Sequence, residues 1–591
     1  MTGGGTRYEP LVAEDAQPLG KIRSLWISYK RRMMATIGAA TVIVVFALGA
    51  AVVVTVSASG QEFDYSHEKD STYWHNVAQS ELEEALRDRQ RGVAKNVILF
   101  LGDGMGPTTV TAGRIFAGQL KGRLGEETEL SFDAFPYTGL SKTYNTDSQV
   151  TDSAASGTAY LTGVKTNQGM LGLTAKAVKG VCNSTKHTEV DSILRWSLRA
   201  GKSAGVVTTT RITHATPAAS YSHTPDRGWE SDSTVPESEK NCEDIASQLI
   251  LKNKDINVIL GGGRAAFYPV DYEDLHADAE NETAYLRRSD GKNLIQEWQD
   301  DMKARKQSFK YVYDRSGLES VDAAQTDYLL GLFSQDHMMY EIGRNKEKEP
   351  SLAEMTAKAV QILKKNKNGF FLLVEGGRID HAHHESMPGL ALYDVVAFAD
   401  AVEKATQLTS STDTLIVVTA DHSHTLALSG YASRGNNILG INKGKDGIFL
   451  MGEDQMPYTT LLYANGPGYM SPRENITDKD TTYPLYVSQS AVPLSMETHG
   501  GEDVAIYAQG PQSFLYSGVH EQNYIPMVMA YASCVGPYKD GAAKKCARHE
   551  KPQISPEINP VCDSGAIPMV SLTLMGLCLL MKNRVIHYLI H

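Results

Sequence analysis

Asn96-Val97-Ile98-Leu99-Phe100-Leu101-Gly102-Asp103-Gly104 is an unbroken apolar run stopped by a turn bounded by glycines. Apolarity without alternation marks a strand buried on both faces, and Gly-Asp-Gly is turn chemistry. The same pattern recurs in Gly205-Val206-Val207-Thr208-Thr209, in Asn257-Val258-Ile259-Leu260 before Gly261-Gly262-Gly263, and at 369–374 and 414–419. Helical periodicity fills the intervals at 189–200, 351–365 and 390–408. An amphipathic helix is also expected over 73–91, with Val77, Leu82 and Leu86 on one face. Buried strands alternating with helices predict an α/β fold with a large, mainly parallel central sheet covered by helices on both faces. Residues 426–492, rich in Gly, Asn and Tyr, carry no helical period and read as a small irregular subdomain. The strand-helix pattern resumes near Val504.

The 591 residues are 42% hydrophobic and 21% charged, enough for a large core. With 69 acidic against 57 basic residues the net charge is -12, which argues against nucleic acid as a main partner. None of the six cysteines has a CxxC spacing, so a thiolate metal site is not expected. Residues 33–58 are apolar and uncharged, and Lys21, Arg23, Lys30, Arg31 and Arg32 precede them. That asymmetry predicts a cytoplasmic tail over 1–32, a signal anchor over 33–58, and an extracellular chain beyond it. A cleaved signal peptide ending near Val56-Ser57-Ala58 is the alternative. Sequons at Asn183, Asn281 and Asn475 agree with an extracytoplasmic location. At the other end, 566–581 is apolar behind Ser564, Gly565 and Ala566. The segment 563–591 reads as a GPI signal with an unusual polar tail, or as a short hydrophobic tail. Both ends thus point to a membrane.

The polar residues that matter stand where strands end, which is where open α/β sheets bind ligands. Asp103 follows the first strand. Glu375 opens Glu375-Gly376-Gly377-Arg378-Ile379-Asp380-His381-Ala382-His383-His384-Glu385, Asp421-His422 follows 414–420, and His499 lies in Glu497-Thr498-His499-Gly500-Gly501. A lone Asp after a strand is usually a cap or turn residue. Several such clusters, in a chain with 17 histidines, point instead to metal. Imidazole with carboxylate suits zinc, and Asp380 and His384, four apart, share one helical face. Glu375 backed by a hydroxyl suits magnesium. Ser153, in Thr151-Asp152-Ser153-Ala154-Ala155, reads as a nucleophile at a helix N-terminus, where N–H groups favour phosphate. Arg227, in His223-Thr224-Pro225-Asp226-Arg227, is the candidate phosphate clamp.

Together these motifs resemble the alkaline phosphatase family, particularly its animal, membrane-attached members. Phe100-Leu101-Gly102-Asp103-Gly104-Met105-Gly106, Val207-Thr208-Thr209-Thr210-Arg211, the stretch 374–385, Thr419-Ala420-Asp421-His422-Ser423-His424 and Gln489-Ser490-Ala491-Val492-Pro493-Leu494 carry the resemblance, which covers 73–546 within a catalytic domain of 59–562. It implies that Asp380, His384 and His499 hold one zinc ion. Asp421 and His422 would hold a second, with Asp103 contributing there and reaching a magnesium ion completed by Thr216 and Glu375. It further implies that His214 acts on the magnesium indirectly, that Ser153 is phosphorylated, and that Arg227 clamps the phosphate while Asp152 holds Arg227. His381 and His383 match positions that are not ligands. Disulfides Cys182–Cys242 and Cys534–Cys546, a homodimer, a crown subdomain at 426–492 and a Tyr431 that reaches the partner also follow. A calcium site near Phe333 and Glu349 is a further expectation, although Ser334 stands where one acid would be. The acidic stretch 272–280 could supply a ligand there.

The implied reaction is hydrolysis of phosphate monoesters at alkaline pH, with broad tolerance of leaving groups, through a phosphoserine. The rivals are a phosphodiesterase or sulfatase on the same scaffold and a non-enzymatic surface receptor. No CxPxR-like context surrounds Ser153, which argues against a sulfatase. Every expected site position is filled, which argues against a receptor that has lost its chemistry.

Overall fold

The computed structural model describes residues 90–539 apart from 275 and 277–282, together with Cys546. The sequence readings at 1–32, 33–58 and 563–591, almost all of the helix at 73–91, and the sequon at Asn281 lie outside the described residues. Among the described residues, no helix is long and apolar enough to cross a membrane.

The strands are β1 (Asn96–Gly102), β2 (Tyr137–Lys142), β3 (Ser203–Arg211), β4 (Val258–Gly262), β5 (Phe309–Val312), β6 (Tyr328–Leu332), β7 (Phe370–Gly376), β8 (Thr414–Ala420), β9 (Ser423–His424), β10 (Leu426–Leu428), β11 (Leu461–Gly466), β12 (Ser490–Pro493), β13 (His499–Gly500), β14 (Val504–Gln509) and β15 (Gly518–Glu521). Ten of them form one sheet in the order β15-β2-β14-β8-β1-β7-β3-β4-β6-β5. Every neighbouring pair is parallel except the two that involve β14. The expected α/β fold is therefore present, with one reversed strand.

The quoted run shows why both faces are covered. Successive side chains of a strand point to opposite faces. Val97, Leu99 and Leu101 enter one apolar cluster, whereas Ile98 and Phe100 enter another. β8 divides likewise, with Leu415 and Val417 on one side and Ile416 and Val418 on the other. Helices Ile193–Arg199, Leu294–Ala304 and Tyr524–Ser533 cover the first face. Pro107–Leu120, Leu352–Leu363 and Pro388–Leu408 cover the second. Residues 426–492 are more ordered than expected. β10, β11 and β12 form a three-stranded sheet, and isolated bridges join Ile441 to Thr459 and Met451 to Pro457.

Both implied disulfides are present, Cys182–Cys242 and Cys534–Cys546. A buried ion-pair network ties β3 to its surroundings. Arg211 donates from Nε and Nη2 to the Glu230 carboxylate at 2.9 and 2.8 Å, and from Nη1 to Asp336 at 2.7 Å. Although burial opposes ionisation, Arg211 holds the Asp336 carboxyl well below the ordinary range. Arg211→Met would leave two acids buried without this cation. It is expected to cost about 3–5 kcal/mol, read as a lower denaturation midpoint at neutral pH. A loss of under about 1 kcal/mol would mean that the network is replaceable.

Candidate metal centre and nucleophile

Four adjacent central strands, β8, β1, β7 and β3, deliver the polar residues at their carboxyl ends. Asp103 follows β1, Asp421 and His422 follow β8, and Glu375 is the penultimate residue of β7. β7 leads into helix Arg378–His384, which carries Asp380 and His384, and after β3 His214 caps the short helix Ala215–Ala219, which carries Thr216. β13 pairs with β9 so that His499 faces His424. Gly104, at φ +66°, permits the crowding: a Cβ there would stand 2.5 Å from the His424 ring. Its N–H donates to Asp421 Oδ1 at 2.9 Å.

The sequence-derived candidates meet in three groups, in each of which one donor atom per residue lies within 4.8 Å of the others. These groups are Asp380 with His384, His424 and His499; Asp103 with Asp421 and His422; and Asp103 with His214 and Glu375. In the first, His384 Nδ1 donates to the Glu497 carbonyl at 2.6 Å and His499 Nδ1 to that of Thr151 at 2.8 Å. A carbonyl only accepts, so both neutral rings have bare Nε2 atoms. These bare atoms face each other at 3.1 Å and stand 3.4 Å from Asp380 oxygens. Two bare ring nitrogens converging on the Asp380 carboxylate suit a cation, and tetrahedral zinc places its nitrogen ligands roughly 3.3 Å apart. His422 repeats the logic. Its Nδ1 donates to the Ser423 carbonyl, and its Nε2 lies 3.0 Å from Asp421 and 3.6 Å from Asp103. In the third group Glu375 Oε1 is buried without a hydrogen-bond partner, while its other oxygen accepts from Thr208 and Thr210. Thr216 Oγ1 lies 3.4 Å from Asp103.

The electrostatics agree. Burial, then Asp421, Asp380 and Glu375, push the Asp103 carboxyl well above the ordinary range. Burial likewise raises Glu375, and it keeps His384 and His499 neutral by lowering them. Buried carboxylates this close need cations.

Ser153 is the first residue of helix Ser153–Thr162, with Asp152 as its cap rather than Ser153 itself. Ser153 Oγ lies 3.3 Å from His422 Nε2 and 3.5 Å from Asp103 Oδ1. Asp152 accepts from Ala155 N and Gly169 N at 3.1 and 3.0 Å and from Arg227 Nη1 at 3.3 Å. Burial opposes its ionisation, but Arg227 and these N–H groups hold its carboxyl below the ordinary value. Arg227 Nη2 also donates to His214 Nε2 at 3.0 Å.

A ring nitrogen of His214 lies within 4.8 Å of Asp103 and Glu375 oxygens. Two features escaped the sequence reading. His424 bridges two carboxylates. Although burial opposes its charge, Glu497 and Asp380 push its imidazole up to about 10. His337 joins His214 and His381 in a buried trio. Each of these rings accepts a hydrogen bond from a group that can only donate: Arg227, the Arg211 N–H and Arg378. Each neutral ring therefore carries its proton on the other nitrogen, and the trio presents donors rather than metal ligands. His383 engages Thr109 and Tyr463 with its two nitrogens. Near the expected calcium position, Arg264 donates to Asp274 Oδ2 at 2.8 Å and to the Leu332 carbonyl at 2.7 Å, and Glu349 accepts from Met339 N.

Fold and site together define an α/β protein with buried clusters of metal-binding residue types beside Ser153. Residues 94–535 match the sequence profile of the family described as alkaline phosphatase. The tissue-nonspecific alkaline phosphatase of Rattus norvegicus is 51% identical over 483 residues, 80% of this chain and 91% of that protein. An alkaline phosphatase of Gadus morhua is 49% identical over 476 residues, 79% and 98% of the two chains. Among solved structures, alkaline phosphatase from Thermus thermophilus superposes with a TM-score of 0.53 at 24% identity, covering 75% of this chain and 92% of that one. The enzyme from the Antarctic bacterium TAB5 gives 0.51 at 22%, covering 76% and 100%. The chain belongs to the alkaline phosphatase family. It is a phosphatase with metal-binding residue clusters.

Proposed function

We propose that this enzyme hydrolyses phosphate monoesters by double displacement through a phosphoserine at Ser153, with two zinc ions and one magnesium ion. The observation that carries the metal reading is the pair of bare imidazole nitrogens of His384 and His499, facing each other at 3.1 Å beside Asp380. Asp380, His384 and His499 would hold one zinc, and Asp421 and His422, with Asp103, the other. Asp103, Thr216 and Glu375 would offer oxygen donors to magnesium. Bound there, the ions supply Lewis acidity toward phosphoryl oxygens and lower the pKa of a nearby hydroxyl. A calcium ion near Phe333 and Glu349 would have to manage without Asp274, which Arg264 already holds.

The chain's own residues do the rest. Ser153 Oγ, on the first helical turn, forms the bond to phosphorus as the alcohol departs. N–H groups of that turn and the Arg227 guanidinium hold the non-bridging oxygens. Asp152 keeps Arg227 aimed. Water then cleaves the phosphoserine, and two in-line steps predict retention at phosphorus. Arg227→Ala is expected to lower kcat/KM for a monoester by roughly 10–100-fold and to weaken inhibition by phosphate, as loss of a charged hydrogen-bond pair implies. The rival phosphodiesterase reading is tested by comparing an aryl phosphate with its diester at alkaline pH, both with zinc and magnesium present. Faster hydrolysis of the diester would overturn the proposal.

The catalytic region is placed outside the cell in this reading. Two disulfides suit an oxidising compartment, and the sequons at Asn183 and Asn475 are exposed. The domain plan of the sequence reading, with the crown at 426–492, is kept. Tyr431, 95% exposed in the single chain, supports the homodimer. Release from membranes by a phosphatidylinositol-specific lipase tests the C-terminal anchor against the N-terminal one.

A further inference from the structure

We propose that Glu497 is the positioning residue that aligns Asp380, His384 and His499 as one ligand set, a role that rests on the metal reading above. Glu497 is 1% exposed and precedes β13. Its contacts reach the ligands by separate routes. Its carbonyl accepts from His384 Nδ1 at 2.6 Å, and its N–H donates to the His384 carbonyl at 2.9 Å. These contacts fix which nitrogen His384 turns to the centre. Carboxylate Oε2 accepts from His424 Nδ1 at 2.5 Å, and His424 Nε2 donates to Asp380 Oδ1 at 2.6 Å, so Asp380 is held at one remove. Oε1 accepts from Thr425 N at 2.6 Å and from its hydroxyl at 2.5 Å, which anchors the carboxylate. His499 follows two residues later on the same strand approach. Groups behind the ligands orient metal sites and raise ligand basicity.

A carboxylate is needed there, because every group facing it donates. An amide must turn its N–H₂ toward a donor of Thr425. Otherwise it must turn that N–H₂ toward His424 Nδ1 and give up the contact that sets the His424 ring against Asp380. Either arrangement loosens Asp380 without removing a ligand.

The experiment compares full-length wild type, Glu497→Gln and Thr425→Val by zinc competition against a chromogenic chelator, and by kcat and KM as free zinc is raised. Glu497→Gln is expected to weaken zinc binding by about 10–100-fold. Its kcat should be low at limiting zinc and recover at high zinc, with KM changed by no more than about twofold. Thr425→Val should move the same way by a smaller factor. The melting temperature of the metal-free Glu497→Gln protein should match that of the metal-free wild type, which separates positioning from loss of packing. Unchanged zinc affinity in Glu497→Gln, or an equal loss of melting temperature with and without zinc, would overturn the role. If the wild type itself takes up no zinc, the metal reading falls with it. If the wild type binds and Glu497→Gln binds equally, only this role falls.

Discussion

Replacing Ser153 with alanine is expected to lower kcat for a phosphate monoester by on the order of 10⁴–10⁶ while the protein stays folded, the scale seen when a covalent nucleophile is removed. The fold should survive because Asp152, not Ser153, caps the helix and accepts from Ala155 N. Alanine also adds nothing to a helix whose neighbours are already Ala154 and Ala155. Metal content and zinc affinity should stay near wild type, because Ser153 Oγ only approaches Asp103 and His422, at 3.5 and 3.3 Å. The direct check is acid quenching with radiolabelled phosphate, with the label recovered in the peptide holding residue 153 in the wild type and absent from Ser153→Ala. A Ser153→Ala protein that retained a tenth of wild-type kcat would end the phosphoserine mechanism, leaving direct attack by water.

How much of this was legible beforehand follows from where each signal lies in the chain. β1, β7 and β8 are buried on both faces and declared themselves as continuous apolar runs. The donors just beyond them inherited that clarity, and the four-residue spacing of Asp380 and His384 fell on a real helix. β2 and β5 escaped notice. They are short, lie at or next to the sheet's edges and mix exposed with buried residues, as in Phe309-Lys310-Tyr311-Val312. The strands within 426–492 were missed because three short pieces, far apart in sequence, pair only in the folded chain. His424 and Glu497 were quoted in motifs yet given no role. Their function is a contact, 44 residues from His424 to Asp380 and 73 from His424 to Glu497, and no local period encodes it. His337 meets its trio by the same kind of long-range approach. The candidate metal donors Asp103, Glu375, Asp421 and His422 were readable because they stand at or just past the ends of continuous apolar strands, whereas His424 and Glu497 show only through folded contacts.

Stripping the metals should abolish activity and lower stability, by about 4 kcal/mol for each site held at a thousandfold excess over its Kd, with both restored by zinc plus magnesium. The cause is the crowd of buried acids. Among them Asp103 carries the largest burden, since burial and three acid neighbours hold its carboxyl well above the ordinary range. A carboxyl raised in the folded state favours folding below its unfolded value, and that contribution is lost as pH rises through the folded value. The metal-free protein should therefore lose stability from Asp103 as pH climbs out of the acid range, and bound cations should cancel the loss. Asp103→Asn separates the two effects. It removes the repelled charge while keeping the shape beside Ser153 and Thr216. Asp103→Asn should therefore be more stable than wild type when both are metal-free at alkaline pH, with the difference shrinking toward pH 4. It should also be nearly inactive and less stabilised by added metal. Thermal melts of both proteins at two pH values, with and without metal, contain the whole test. A metal-free Asp103→Asn protein less stable than wild type at alkaline pH would show that Asp103 serves the fold. The opposite result would show a site whose charges are tolerated only because cations occupy it.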